Sequence, residues 1–253
     1  NLKNSSRYFS LWGGFSEYTQ VVDYNAMVED GLYCDDGLCT MQAIPESIDP
    51  RKAVMIITLK EVYSALERLD VRPGARVAVA GCGPVGLAMV NALKLMKAKY
   101  IAVIGHHDDR LAIARKTGAN LSVNTRKSDA REVLKNSGIG EFDLYIDAVG
   151  KNSLVSEAMS LIRPDGVIGI YGIGLDGQTP VAWDKAPYNF TVRSVQWPVA
   201  KREMAVHEKV VNHVLSGGFE LDNYVTHILP LEDFNEGFEL VRTRQALKVS
   251  LYF

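Results

Sequence analysis

The middle of the chain alternates between short apolar runs and longer segments with apolar residues at helical spacing. Val77–Ala80 predicts a buried strand, and Pro84–Met96 predicts the helix that follows it. Similar patterns predict further strands at Tyr100–Ile104, Leu121–Val123, Phe142–Asp147, Val167–Tyr171 and Thr191–Trp197, and helices near Asp108–Thr117, Ser128–Asn136 and Lys151–Ile162. Six strands with helical crossovers predict an α/β fold with a parallel, doubly wound sheet.

Both ends of the chain depart from this alternation. The first 50 residues are rich in strand and turn patterns, including a strand beginning near Gly13, and Thr58–Leu69 then predicts a connecting helix. Near the other end, Lys201–Leu215 predicts a helix that stops at two glycines. Leu229–Phe253 predicts one more helix and a final strand.

A glycine-rich turn lies between the first strand and its helix. Its GxGxxG pattern comprises Gly81, Gly83 and Gly86, with Pro84 and Val85 between the last two. The glycines allow a tight bend, close approach of a pyrophosphate and close packing of helix on strand. Pro84 suits the first helical turn, whose dipole favours an anion. We therefore predict that these five residues bind a dinucleotide.

Composition narrows the classes of ligand. The 253 residues include 28 basic and 30 acidic side chains, for a net charge of −2, so the overall charge does not favour nucleic acid or an anionic membrane. Val77–Met96 is apolar, yet glycines, Pro84 and Lys94 interrupt it, so we predict no membrane span. Small molecules are the expected ligands.

Three cysteines, Cys34, Cys39 and Cys82, cannot all pair, and no signal peptide precedes them. We therefore expect a reducing, cytoplasmic setting. Cys34 and Cys39 lie in an acidic loop without the further ligands that a tetrahedral zinc site needs, so an ordinary loop is favoured there.

Five segments of the chain resemble the medium-chain dehydrogenase/reductase family, most closely its zinc-type alcohol and polyol (sorbitol-like) branch. They are Gly13–Tyr18, Arg72–Leu87, Asp109–Asn120, Asp143–Gly150 and Pro230–Val241, in the family's order. The resemblance implies a Rossmann dinucleotide-binding domain at residues 56–228. It also implies a partial, β-rich GroES-like catalytic domain made from residues 1–55 and 229–253.

The resemblance further implies hydride transfer between a nicotinamide cofactor and an alcohol, polyol or carbonyl substrate, usually assisted by zinc. The family's first zinc ligands precede the segment matching Gly13–Tyr18 and are not in this chain. Ile57 and Thr58 stand near a further acidic position of the family. We therefore assign no metal ligand and no catalytic residue. We favour a truncated N-terminus, because the sequence begins at Asn1 without an initiator methionine.

Other functions stay open at this point. A zinc-free quinone or enoyl reductase of the same family lacks the same ligands, and so does a dinucleotide-binding protein without catalysis. A methyltransferase also has a glycine-rich first loop, but the matches outside the loop argue against it. The resemblance suggests a homodimer formed through the edge strand Thr191–Trp197, or a homotetramer.

The end of the second predicted strand bears on cofactor choice. NAD-binding domains usually carry an acidic residue there, whereas this chain has Gly105. Residues that could offer donors to a 2′-phosphate are His106, His107, Arg110, Thr125 and Arg126. NADP is therefore favoured over NAD. Asp108 and Asp109 support the opposite choice if either approaches the ribose, although both also suit a helix start.

The nicotinamide end is expected in the loops after the fourth and fifth strands. By resemblance, the cofactor-binding residues there are Ala148, Val149, Gly172, Ile173, Gly174 and Trp197. Asp147 ends its strand and is expected to organise the turn, without a catalytic role. His207, His213 and His227 are expected to be surface or packing residues.

Overall fold

The computed structural model describes residues 23–32, 39, 41–174, 178–179 and 181–253. The predicted strand near Gly13 and the predicted loop position of Cys34 lie outside these residues. The helices are α1 (Tyr24–Glu29), α2 (Pro50–Arg68), α3 (Pro84–Leu95), α4 (Asp108–Thr117), α5 (Ala130–Asn136), α6 (Asn152–Met159), α7 (Ala200–Leu215) and α8 (Phe234–Arg242). The strands are β1 (Arg76–Ala80), β2 (Tyr100–Gly105), β3 (Leu121–Asn124), β4 (Phe142–Asp147), β5 (Ile162–Ile170), β6 (Phe190–Ser194), β7 (Val225–Pro230) and β8 (Lys248–Tyr252).

Strands β1 to β6 form one parallel sheet in the order β3-β2-β1-β4-β5-β6. Strand β1 pairs with β2 on one side and with β4 on the other, so Ala80 lies opposite both Ile104 and Asp147. The chain order reverses between β1 and β4, and doubly wound folds bind their ligands at the carboxyl ends of such strands. The predicted six-stranded, doubly wound sheet is confirmed.

Alternate residues of β1 belong to two different cores. Val77 and Val79 pack with α2, α3 and α7, whereas Ala78 and Ala80 pack with α5 and α6. All four side chains are buried. Burial on both faces explains why the central strands are continuously apolar instead of alternating with polar residues.

Two helix boundaries differ from the predictions by three residues or more. Helix α2 begins at Pro50 and not at Thr58, because the Asp49 side chain accepts a hydrogen bond from Arg51 N at 3.0 Å and Pro50 occupies the first helical turn. Helix α6 ends at Met159, and Ile162 begins β5 instead of closing the helix. Apolar spacing alone did not separate the end of α6 from the start of the strand.

A separate two-stranded parallel sheet pairs β7 with β8, and α8 connects them. The proposed domain boundaries fall inside elements, since α2 spans residue 55 and β7 spans residue 229. Across the described part of the chain, no helix combines the length and the apolar character needed to cross a membrane.

A buried hydrogen bond ties the segment before β7 to α3. Asn91 Nδ2 donates to the Tyr224 hydroxyl at 2.9 Å, and both residues are buried. We expect Tyr224→Phe to lower the free energy of unfolding by about 1–3 kcal/mol, because the Asn91 amide loses its acceptor. Urea unfolding measures this change. Tyr188→Phe, at a fully exposed tyrosine, is the matched control, and equal losses in the two variants would contradict the prediction.

Candidate functional site

The glycine turn joins β1 to α3 at the carboxyl edge of the sheet. Gly81 has a φ of +119°, a backbone conformation that residues other than glycine rarely adopt. A Cβ atom on Gly86 would lie 2.0 Å from the Gly81 carbonyl oxygen, so the helix packs on the turn too closely for any side chain. These two glycines are therefore needed by the fold itself.

Gly83 differs from its two neighbours because its backbone faces open space. Among the residues that the structure describes, none has an atom within 4 Å of a Cβ atom built there. Gly83 is the N-cap of α3, Pro84 is the first helical residue, and no side chain caps this end of the helix. The first backbone N–H groups of α3 are therefore available to an anion beside an uncrowded glycine.

At the end of β2, the chain brings together a cluster of cationic and imidazole groups. The rings of His106 and His107 lie 4.3 Å apart between centroids, and Arg244 Nη1 donates to His106 Nε2 at 3.2 Å. Burial lowers the pKa of both histidines, and the nearby charge of Arg126 and Arg244 lowers it further. Both rings are thus disposed toward their neutral form.

Arg244 was not predicted from the sequence. It follows α8 with a φ of +63° and reaches the end of β2 from 138 residues away. Arg110 Nη2 donates to the carbonyl oxygens of Arg244 at 3.0 Å and Ala246 at 3.3 Å. The described contacts of Arg110 therefore hold the loop that carries Arg244.

Several polar groups in and beside the loop after β3 already have hydrogen-bond partners within the protein. Thr125 is tied to the end of β2, since both its N–H and its hydroxyl donate to the Gly105 carbonyl, at 2.8 and 3.2 Å. Arg126 N donates to Asn124 Oδ1 at 2.9 Å. The Asp108 carboxylate accepts from Asn124 Nδ2 and Lys127 Nζ, both at 2.8 Å. Asp108 is therefore held by the loop after β3.

Asp147 organises the loop after β4. Its Oδ1 accepts from Val149 N at 2.8 Å and from Gly150 N at 2.9 Å, and its backbone carbonyl accepts from Tyr171 N and Gly172 N at 2.9 Å. Burial raises the pKa of this carboxyl group, although the backbone donors act in the opposite direction. These contacts fit the predicted role in the turn.

The loops after β4 and β5 fit against each other without room for side chains. A Cβ atom on Gly172 would lie 2.1 Å from Gly150 N, and one on Gly174 would lie 2.5 Å from Gly150 O. Gln196 Nε2 donates to the Gly172 carbonyl at 2.7 Å and fixes the segment after β6 to the same loop. The two predicted nicotinamide loops are therefore one contiguous structure.

Three apolar side chains on this edge are exposed: Val149 at 44%, Ile173 at 63% and Trp197 at 72%. Ala148 N donates to the Ala80 carbonyl at 2.9 Å, which joins the loop after β4 to the end of β1. The structure thus places the predicted pyrophosphate and nicotinamide residues on adjoining segments of one sheet edge.

The histidines outside this edge make packing or surface contacts. His207 Nε2 lies 2.9 Å from the Ala43 carbonyl, His213 packs against Tyr63 and Phe219, and His227 contacts Thr226. Within the described ranges, no group of three or more His, Cys, Asp or Glu side chains is suitably placed for a metal ion.

Comparison with known proteins identifies the relatives of this chain. A family profile described as "Zinc-binding dehydrogenase" matches residues 84–205. L-threonine 3-dehydrogenase of Bacillus velezensis is 31% identical over 243 residues, which cover 94% of this chain and 64% of that protein. Erythritol/L-threitol dehydrogenase of Mycolicibacterium smegmatis is 30% identical over 204 residues, covering 74% of this chain and 51% of that protein.

A solved structure agrees with these matches. The alcohol dehydrogenase TADH from Thermus sp. ATN1 is 28% identical and superposes with a TM-score of 0.73, covering 84% of this chain and 61% of that one. The chain thus spans between about half and two thirds of the length of these relatives. Together with the glycine turn, the strand order and the two interlocked loops, these matches support the resemblance of the chain to the zinc-type medium-chain dehydrogenase/reductase family.

Proposed function

We propose that this protein is an oxidoreductase that transfers a hydride between a nicotinamide cofactor and an alcohol, a polyol or the corresponding carbonyl compound. The observation that carries the proposal is the contact of the loops after β4 and β5 through Gly150, Gly172 and Gly174, beside the glycine turn. The relatives' names support this substrate class, since they include threonine, tetritol and alcohol dehydrogenases.

The pyrophosphate of the cofactor would lie against Gly83 and the N-terminus of α3. This site offers unpaired backbone donors and space that a side chain would fill. The bound nicotinamide would supply the hydride acceptor or donor. Asp147 serves this arrangement indirectly, because it fixes the N–H groups of Val149 and Gly150.

The exposed side chains of Val149, Ile173 and Trp197 would contact the nicotinamide end, together with the backbone of Ala148, Gly172 and Gly174. Apolar side chains there would exclude water from one side of the ring. The described residues contain no cluster that fits zinc.

A panel of secondary alcohols and polyols tests the activity of the protein. Production of reduced nicotinamide, followed by absorbance, is the expected result with at least one alcohol. Tight cofactor binding without turnover on the whole panel, in either direction, would contradict the oxidoreductase proposal and favour a binding protein.

For the cofactor, we favour NADP over NAD. The end of β2 lacks a carboxylate at Gly105, and Asp108 is held by Asn124 and Lys127. Arg126 and Arg244 add positive charge beside the two histidines. A 2′-phosphate would find charged donors here, with no carboxylate at position 105 to repel it.

Replacing these arginines should affect the affinity for NADP and not the affinity for NAD. We expect Arg126→Ala and Arg244→Ala each to weaken NADP binding about 10-fold to 100-fold, the cost of one hydrogen bond to a charged group, with NAD binding nearly unchanged. Calorimetric titration measures both affinities. Arg202→Ala, at an exposed arginine on α7, is the control. Equal losses for NADP and NAD, or tighter NAD binding by the unmodified protein, would contradict the choice.

We also propose that two copies associate through β6. This strand forms one edge of the six-stranded sheet, and its residues Thr191 to Ser194 are exposed. An unpaired edge strand offers N–H and C=O groups to a second copy. Edge pairing would continue the sheet across a homodimer.

A further inference from the structure

A side chain at position 105, at the end of β2, would overlap with the side chain of Cys82. Cys82 lies inside the glycine turn and is buried, and Gly105 is the last residue of β2. A Cβ atom built on Gly105 would lie 2.3 Å from Cys82 Sγ and 2.8 Å from Cys82 Cβ. Its next neighbour is Leu111 Cδ2, at 3.3 Å. The main obstacle to a side chain at position 105 is therefore Cys82.

Rotation of the cysteine side chain does not remove this obstacle. A change of χ1 moves Sγ, but the Cβ atom keeps its position because the backbone fixes it. Both backbones are held by the pairing of β1 with β2 and by the hydrogen bond from Gly81 N to the Ile104 carbonyl, at 2.8 Å. Position 105 thus has no room for a side chain while residue 82 carries Cβ and Sγ.

We propose that Cys82 is a specificity-determining residue for the adenosine end of the cofactor. Because it fills the space beside Gly105, it leaves no room at position 105 for an acidic residue that could reach the ribose 2′ position. The positive charges of Arg126 and Arg244 then act there without an opposing carboxylate at position 105. This inference rests on the proposed NADP binding, and it assigns part of the cofactor choice to the glycine turn.

A double-mutant cycle in the full chain tests the proposal. We expect Gly105→Asp alone to weaken binding of both NAD and NADP, because the new side chain displaces the turn. In the Cys82→Gly background the aspartate fits and accepts hydrogen bonds from the ribose hydroxyls. The double variant should therefore bind NAD at least about 10-fold more tightly than Gly105→Asp alone, and NADP more weakly than the Cys82→Gly variant. Equal NAD affinities of Gly105→Asp with and without Cys82→Gly would overturn the proposal.

A smaller substitution at position 105 tests the steric overlap without cofactor, and it remains informative if the aspartate variant does not fold. Gly105→Ala should lower Tm by about 5 °C when residue 82 is Cys or, in the matched control, Ser. The loss should be smaller with Cys82→Ala, which removes Sγ only, and close to zero with Cys82→Gly. An equal loss in all four backgrounds would overturn the steric coupling.

Cofactor choice in the unmodified protein and the role of Cys82 are tested by different measurements. Failure of the proposed cofactor choice appears in the unmodified protein, as tighter binding of NAD than of NADP. Failure of the specificity role appears across the cycle, as additive effects on cofactor affinity even where the effects on Tm are not additive. Such a result would leave Cys82 a packing residue only.

Discussion

Gly86→Ala is expected to destabilise the protein by at least about 3 kcal/mol, although alanine is favoured over glycine by about 1 kcal/mol within a helix. The reason is the 2.0 Å separation between the new Cβ atom and the Gly81 carbonyl oxygen, with the Gly81 carbonyl carbon at 2.8 Å. Both obstacles are backbone atoms of the glycine turn, so no side-chain rotation relieves them. Chemical denaturation measures the loss.

Gly83→Ala provides the matched comparison within the same turn. Its new Cβ atom meets no described atom within 4 Å, so we expect a loss of stability below about 1 kcal/mol, the cost of alanine at an N-cap. Cofactor binding should nevertheless weaken at least about 10-fold, because the methyl group occupies the space proposed for the pyrophosphate. Similar stabilities of the two variants would contradict the steric account of Gly86, and unchanged cofactor affinity in Gly83→Ala would contradict the proposed pyrophosphate position.

The central sheet could be predicted because its strands are buried on both faces and are therefore continuously apolar. The helix at Asp108–Thr117 and the strand at Phe142–Asp147 have the predicted bounds. Errors occurred where apolar spacing carries little information. The start of α2 depends on the Asp49 cap, and β5 begins before a proline, at Ile162. Local capping and strand pairing decide such ends, and periodicity reports neither.

The candidate site shows a similar division. The glycine turn is a local pattern, so the tight bend at Gly81 and the close packing of the helix at Gly86 could be predicted from the sequence. Arg244 could not, because its contact with His106 depends on the path of the chain after α8. The overlap between the Cys82 side chain and a Cβ atom at position 105 likewise depends on the approach of β1 to β2, which sets separations of 2.3 and 2.8 Å. Long-range packing of this kind leaves no short-range signal.

Asp147 shows how a buried polar group shapes the nicotinamide end of the site. Asp147→Ala leaves the N–H groups of Val149 and Gly150 without their acceptor at 2.8 and 2.9 Å. We expect the free energy of unfolding to fall by about 2–5 kcal/mol, because two part-buried N–H donors lose their acceptor. Because the loop after β4 supports Gly172 and Gly174, cofactor binding should weaken as well. Urea unfolding and cofactor titration measure the two effects.

Asp147→Asn separates acceptance of hydrogen bonds from charge. The amide oxygen can accept from the same two N–H groups, so this variant should lose less than half as much stability as Asp147→Ala. Burial raises the pKa of Asp147 above its ordinary value of 3.8, so the folded protein binds this proton more tightly than the unfolded chain does. Its contribution to stability is therefore fully present below that ordinary value and is lost as pH rises through the raised pKa. The stability of the unmodified protein relative to Asp147→Asn should fall over that pH interval. Equal destabilisation by alanine and asparagine would instead show that the negative charge, and not the acceptor oxygen, holds the loop.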